Sequence, residues 1–413
     1  MMAALMRLDA ALGPKVQGPK LVHIKCQIRP ENLEPANTIN VVSYNILSSA
    51  TSSDGYYKDT NGASRTFDED QRRRMIYSRL KEWMEKQKVI CLQEVTYSFL
   101  FLDDQLQALL DAHSYDVYAN FYAYSVQKQT TTMGLAVFVP INHFAEATLL
   151  SPWQYPLKSR KREAEIEEIK EEIETLHAKK IELCKAKRTT ADVTALQQAI
   201  TDIQTQIADL QTRQKALDAA SKQEVTNYKD RTILALRLGI AGGKISIGNI
   251  HVPCQFKDPW LATSIAFQAK QAVLEWATDP LVFCGDFNSQ PGQAGYRCFT
   301  GTQVSVDPDR IPADTFSRVV TEEKWESPLE TFTGCTCYGL TAATVEAKVF
   351  EPRPFHLDHF FVRDPDSLLT ITRSICPTLE QVRAKTSYDP LPNLEAGEPS
   401  DHLPIELGFR HRL

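Results

Sequence analysis

The apolar run Leu281–Cys284 ends in Gly285-Asp286-Phe287-Asn288, and Pro291-Gly292 breaks the chain shortly after. Such a run reads as a buried strand that delivers one carboxylate and one carboxamide to an end where the chain turns. A carboxylate there can hold a water molecule or a divalent cation, and the amide can donate to a phosphate oxygen without adding charge. An Asp–Asn pair can equally cap its own turn. The pattern recurs, however. Apolar runs end on Asn45, on Glu94 and on His251, Asp358 stands near the start of another, and Asp401-His402 leads into the last.

Collected together, these ends offer Asn45, Glu94, His251, Asp286, Asn288, Asp358, Asp401 and His402. The four carboxylates among them are too many charges to bury without a cation. Oxygen-rich ligation of that kind suits Mg²⁺ or Mn²⁺ better than zinc. A cation in an acidic cleft implies an anionic substrate, and phosphate esters are the obvious class. The metal would neutralise the phosphate, lower the pKa of an attacking water and stabilise the leaving oxygen. Asp286 can orient or deprotonate that water. Asp358 beside a histidine can fix its tautomer and favour its protonated form, which offsets charge in the transition state.

The elements that must carry these groups are legible in part. Strands are expected at Asn37–Ile46, Val89–Glu94, Met133–Pro140, Arg231–Leu238, Lys244–His251, His356–Arg363 and Leu403–Phe409, with amphipathic helices over Thr66–Gln87 and Pro259–Ala277. Asn120–Tyr124 is an aromatic cluster, and Ser125–Thr132 beside it reads as a polar loop. Such a cluster can stack a base or simply fill a core. Met1–Ala36 carries four prolines and no clean period, so a tail or packed arm is expected. Gly301–Thr344 reads mostly as loops.

Composition changes abruptly over residues 158–223, which are rich in Glu, Lys, Gln and Ala and contain no Gly or Pro. Apolar residues recur every three or four positions in two runs, joined by a polar link at Lys187–Asp192. That predicts an antiparallel helical hairpin with arms roughly 40 Å long. Strands resume beyond it, so it is inserted into a globular domain. Its mixed charge fits an arm for self-association or a protein partner better than a catalytic role. The expected organisation is a tail at 1–36, the halves of a catalytic domain at 37–157 and 224–413, and the insertion between them.

Across its 413 residues the chain carries a formal charge of −6, so a polyanion must be held by a local basic patch or by metal. Nine scattered cysteines suit an intracellular, reducing compartment, cytoplasmic first and mitochondrial second. Cys335-Thr336-Cys337 lacks a second Cys/His pair at zinc spacing and reads as structural. No apolar run approaches a membrane span.

Six short motifs stand in a telling order: YNIL at Tyr44–Leu47, LQEV at Leu92–Val95, NIH at Asn249–His251, GDFNS at Gly285–Ser289, LDHFF at Leu357–Phe361 and SDHLP at Ser400–Pro404. In that order they resemble the endonuclease/exonuclease/phosphatase superfamily. Within it the chain most resembles the carbon-catabolite-repression-type deadenylases, nocturnin, Angel and the 2′-phosphodiesterases. The resemblance implies a deoxyribonuclease-I-like fold, a four-layer α/β sandwich. It also implies that Glu94 is the principal Mg²⁺ ligand, with Asn45 and Asp401 nearby. Asp286 would handle the water, Asn288 and His251 would contact the scissile phosphate, and His402 paired with Asp358 would complete the site. Phe355 is the nearest candidate for stacking an adenine, although its spacing differs from that of the deadenylases. His359 stands where these relatives carry Tyr, and Pro253 follows His251 where an apolar residue is common. The expected activity is Mg²⁺-dependent hydrolysis of single-stranded RNA from the 3′ end. The alternatives are a nucleotide or RNA-end phosphatase and a non-catalytic scaffold.

Overall fold

The computed structural model describes residues 20–27, 37–48, 57, 65, 67–101, 104–126, 129–143, 145–150, 160–186, 193–226, 232–252, 259–301, 325–329, 334–339, 353–386 and 390–412. The chain divides into two compact units. One is drawn from Met1–Gln154, Asp230–Ser305 and Asp314–Leu413, the other from Tyr155–Lys229 and Val306–Ala313.

The first unit begins with β1 (Lys20–Ile24), β2 (Thr38–Asn45), α1 (Glu69–Glu85), β3 (Val89–Val95), α2 (Tyr97–Phe101), α3 (Asp104–His113), β4 (Tyr115–Val126), β5 (Gln129–Pro140) and β6 (Ala145–Leu150). The second unit holds α4 (Arg160–Ala186) and α5 (Val193–Thr226). The first then resumes with β7 (Ile233–Ile240), β8 (Gly243–His251), α6 (Pro259–Trp276), β9 (Leu281–Asp286), α7 (Ala294–Thr300), β10 (Cys337–Gly339), β11 (Arg353–Phe355), β12 (Asp358–Arg363), β13 (Leu369–Ile375), α8 (Leu379–Thr386) and β14 (Ile405–His411).

Two mixed sheets form the body of this unit. One has seven strands in the order β1-β4-β5-β3-β2-β14-β13, the other five in the order β12-β9-β8-β7-β6. The two-residue pleat sorts their side chains. Val41, Val89, Cys91 and Val137 join Leu236, Ile247, Val282 and Cys284 in a single apolar layer between the sheets. Their neighbours Val42, Ile90, Leu92 and Phe138 turn the other way, onto Ile76 and Leu80 of α1 and Leu106 and Leu110 of α3. On the second sheet Phe283 likewise turns outward, edge-on to Phe287 and against Phe299 of α7. This is the α/β sandwich expected from the motifs.

A polar joint interrupts the apolar layer. The Gln93 amide donates to Asn249 Oδ1 across the sheets at 2.7 Å, and Asn249 Nδ2 donates to the Leu92 and Ala136 carbonyls at 2.9 and 3.2 Å. All the donors are buried and every one finds an acceptor, whereas Gln93 Oε1 is buried without a partner.

Several expectations need correction. Ser125–Val126 and Gln129–Thr132 are not loop: β4 and β5 pair without interruption to Val126↔Gln129, because the threonines suit extended strands. The aromatic run Asn120–Tyr124 therefore belongs to a strand, with Phe121 and Tyr122 buried. Within the expected tail, Lys20–Ile24 is a strand that extends the sheet beyond β4. Strands β6 and β13 and helices α7 and α8 had no clear period in the sequence. Most of Gly301–Thr344, and Pro253, lie outside the described residues.

In the second unit, α4 and α5 run antiparallel, since Glu165 near the start of one pairs with Arg213 in the latter half of the other. Ile166 and Ile169 are buried together with Ile200, Ile203 and Ile207. No helix among the described residues is long and apolar enough to cross a membrane.

Candidate active site

Register brings the polar strand ends to one edge. β8 and β9 run parallel with His251 opposite Asp286, and antiparallel β12 places Asp358 opposite Asp286 on the other side. Three chemically active residues thus stand side by side on one sheet. Gly285 permits this closeness: its φ is +144°, and a Cβ there would lie 1.9 Å from the Ile250 carbonyl oxygen. On the other sheet Asn45 ends β2 beside Gln93 of β3.

Glu94 reaches the edge by a different device. The pairing of β3 with β5 jumps from Gln93↔Leu135 to Val95↔Gly134, which leaves Glu94 as a bulge. Its φ is +59°, in the left-handed region that costs a non-glycine residue on the order of 1–2 kcal/mol. The bulge frees Glu94 from the alternation that turns Gln93 inward. Asn288, just past β9, is also left-handed with φ +46°.

Asp286 is the centre of the arrangement. Its Oδ2 accepts from Asn45 Nδ2 at 3.0 Å and stands 3.7 Å from both His251 Nε2 and His402 Nε2. Its Oδ1 accepts from the Asn288 backbone N–H at 2.9 Å. Asn45 Nδ2 also donates to Glu94 Oε1 at 3.0 Å, and the Ser48 N–H donates to Glu94 Oε2 at 3.0 Å. His251 Nε2 lies 3.8 Å from Glu94 Oε1. His402 Nδ1 and Asp358 Oδ2 share a 2.8 Å hydrogen bond.

Burial and charge set the protonation states. Burial pushes the Asp286 carboxyl up to about 6, and Asp358 adds to the rise while His402 and His251 oppose it. For His402 burial works against the charged form, but Asp358, Asp401 and Asp286 outweigh it and hold the imidazole well above its ordinary value. At neutral pH the pair is therefore a carboxylate facing an imidazolium.

The oxygen donors fit a hard divalent cation. Glu94 and Asp286 flank a single amide nitrogen, and Asp358 Oδ1 is buried with no hydrogen-bond partner. Uncompensated carboxylate charge of this kind is what a Mg²⁺-class ion neutralises. Two expected ligands stand differently. Asn45 turns its NH₂ to the carboxylates, while its Oδ1 accepts from the Leu47 N–H at 3.0 Å. Asp401 groups with His402 and Cys337, their ligand atoms lying within 4.8 Å of one another, and its Oδ2 accepts from Tyr57 at 2.8 Å.

Residues 42–402 match the sequence profile of the endonuclease/exonuclease/phosphatase family. The chain belongs to this family. No curated protein matches it. Among solved structures, ANGEL2, a 2′,3′-cyclic phosphatase in complex with adenosine-2′,3′-vanadate, is 16% identical with a TM-score of 0.50, over 95% of this chain and 99% of that one. The human Nocturnin catalytic domain with bound sulfate anion is 15% identical, TM-score 0.46, over 95% and 98%. A humanized D. rerio TDP2 is 13% identical, TM-score 0.45, over 91% and 100%.

Within this family member, Asn45, Glu94, His251, Asp286, Asp358 and His402 converge, with Asn288 bound to the Asp286 carboxylate. The Asn288 side chain donates to the Val252 carbonyl at 2.8 Å, so one of its N–H groups is engaged by the protein. Phe355 is half-buried and lines a cleft of about 540 Å³ with Gln290, His356 and Arg383. That cleft is not lined by Asn45, Glu94, His251, Asp286 or His402. His359, in the place of the expected tyrosine, is fully buried; its Nε2 bonds the Ser289 carbonyl at 2.7 Å and so braces the loop after Asp286.

Several supporting residues escaped the sequence reading. The Tyr57 hydroxyl holds Asp401, and Ser400 Oγ donates to the Asn45 carbonyl at 2.7 Å. Thr336 Oγ1 accepts from the N–H groups of Leu357 and Asp358. Arg72 and Arg79 of α1 donate to the Pro399 and Gly397 carbonyls, fixing the approach to Asp401. None of these shows a period or a spacing. The serine inside Ser400-Asp401-His402 was the one available signal.

Proposed function

We propose that the protein is a Mg²⁺-dependent phosphodiesterase acting on single-stranded RNA, as a 3′→5′ exoribonuclease with a bias toward adenosine. The observation that carries the reading is Asp286 Oδ2, surrounded by Asn45, His251 and His402 at the edge that Glu94 also reaches.

Glu94 and Asp286 would hold the cation, which supplies charge neutralisation of the phosphate and acidification of water when bound. Asp286 accepts the proton of the attacking water. Asn45 keeps its carboxylate oriented. His402 stays protonated through Asp358 and directs N–H toward charge developing on phosphorus-bound oxygen. His251 offers a second imidazole for the same phosphate.

A nucleotide or an RNA end bearing a phosphate monoester would offer the same phosphate to these groups, and this is the second reading. Product analysis with Mg²⁺ decides between them, comparing labelled oligo(A), mixed-sequence RNA, DNA and small nucleotides, with Asp286→Ala as control. A ladder of released mononucleotides, lost in the variant, supports the exonuclease. Free phosphate supports the phosphatase, and no turnover on any substrate overturns both.

A further inference from the structure

Cys337 has no part in the chemistry just proposed, yet it lies against it. The Leu403 N–H donates to the Thr336 carbonyl at 2.8 Å and the Tyr338 N–H to the Asp401 carbonyl at 3.3 Å. Cys337 and His402 are thereby antiparallel bridge partners. Their ligand atoms and that of Asp401 lie within 4.8 Å of one another. Cys337 and His402 are buried, whereas Asp401 is half-exposed and leaves an approach from solvent. Two of the three side chains are oriented from behind, Asp401 by the Tyr57 hydroxyl and His402 by Asp358.

We propose that Cys337, Asp401 and His402 form a second cation site, selective for a thiophilic divalent ion of the Zn²⁺ class, and that an ion bound there takes His402 out of phosphate chemistry. The second half rests on the function proposed above; the first does not. A thiol, an imidazole and a carboxylate are the donors zinc takes, and the oxygen-rich set around Glu94 and Asp286 is not. Donors around a tetrahedral zinc stand about 3.5 Å apart, so the three groups need to close by only ~1 Å. Second-partner hydrogen bonds to a ligating histidine and carboxylate are the usual support of such sites. Burial, together with the charges of Asp401, Asp358 and Asp286, keeps the thiol protonated, and the same field favours a dication. On binding, the Cys337 S–H and one imidazolium N–H of His402 lose their protons to solvent as the sulfur–metal and nitrogen–metal bonds form. Affinity therefore rises with pH.

The test uses the full chain and Cd²⁺, whose bond to a thiolate has an ultraviolet charge-transfer band. One Cd²⁺ per chain is expected to raise this band in the parent protein. Cys337→Ser should abolish it, Asp401→Asn should weaken binding at least tenfold, and Cys335→Ser and Cys184→Ser should leave it unchanged. No band, or a band that survives Cys337→Ser, overturns the site. If near-ultraviolet circular dichroism shows that Cys337→Ser has not folded, Asp401→Asn decides, and unchanged affinity overturns the proposal. In the activity arm, Zn²⁺ should inhibit Mg²⁺-supported turnover, and Cys337→Ser should raise the inhibitory concentration at least tenfold while sparing that turnover. Equal inhibition of both proteins overturns the second half. A chain without turnover on any substrate fails the function proposed above and leaves the Cd²⁺ result standing.

Discussion

The strand-end site and the helical hairpin solve opposite problems. At the site, polar and charged groups are buried and must be compensated one by one, through Asn45 between two carboxylates and Asp358 behind His402. In the hairpin nearly every polar group faces water, and one seam of isoleucines holds two helices together. A site built from paired buried charges fails when one member changes, because its partner is left uncompensated. A seam loses stability by increments. The two regions should therefore respond to mutation in different currencies, activity in one and local stability in the other.

The largest difference is expected for Glu94→Gln, which removes a charge and keeps the shape. Turnover should fall about 10³-fold or more with the fold retained. Activity within tenfold of the parent would break the assignment of Glu94 to the cation. Next in size is core truncation. Leu236→Ala in the layer between the sheets should cost ~3 kcal/mol. Because all five tryptophans lie outside residues 160–226, fluorescence reports unfolding outside the hairpin. Ile203→Ala should lower the helical circular-dichroism signal on mild heating and leave the fluorescence transition where it was. A shift in that transition would mean that the hairpin and the sandwich unfold together.

Acid sharpens the contrast. Burial lowers His356 from 6.5 to about 4 and His359 to about 3. Both are neutral when folded and protonate in the unfolded chain, so the unfolded state binds more protons below pH 6.5. Their contribution is full above that pH and is lost as pH falls toward 4, by ~1.4 kcal/mol per pH unit for each residue. Denaturation monitored by fluorescence should show His356→Asn removing ~1.4 kcal/mol per pH unit from the parent's acid slope, on which Asp286 acts in the opposite sense. Identical slopes in the two proteins would contradict the buried, neutral state of His356. The smallest effect is expected from replacing residues 158–223 with a short Gly/Ser linker, which should leave turnover within about twofold. A folded but inactive deletion would show that the hairpin takes part in the chemistry.

The residues that converge were visible in the sequence because strand ends announce themselves: an apolar run stops, and a polar residue stands at the break. Asn45, Glu94, His251 and Asp286 carry this mark, and Asp358 stands at the opposite break, where a run begins. What the sequence could not carry was set by partners far along the chain. Tyr57 meets Asp401 across 344 positions, and no local pattern connects them. Strand β13 is mostly exposed and polar on its outer positions, so it shows no apolar run, and β1 is short and flanked by prolines. The threonines of Ser125–Thr132 are polar enough for a loop and β-branched enough for a strand, and only the partner strand decides between the two. The bulge at Glu94 was equally invisible, since one extra residue in a strand leaves the alternation on either side of it intact.

The joint between Gln93 and Asn249 has a mechanical consequence. Asn45 and Glu94 belong to one sheet, and His251, Asp286 and Asp358 to the other. Methyl groups slide past one another with little preference for position, so a greasy layer alone would tolerate shear between the sheets. Such a slip would leave every ladder intact and still pull the two halves of the site apart. A directional bond of 2.7 Å has no equivalent position half a pleat away. The amide pair acts as a dowel one residue beneath Glu94 and two beneath His251, and it narrows the tolerance of the working edge.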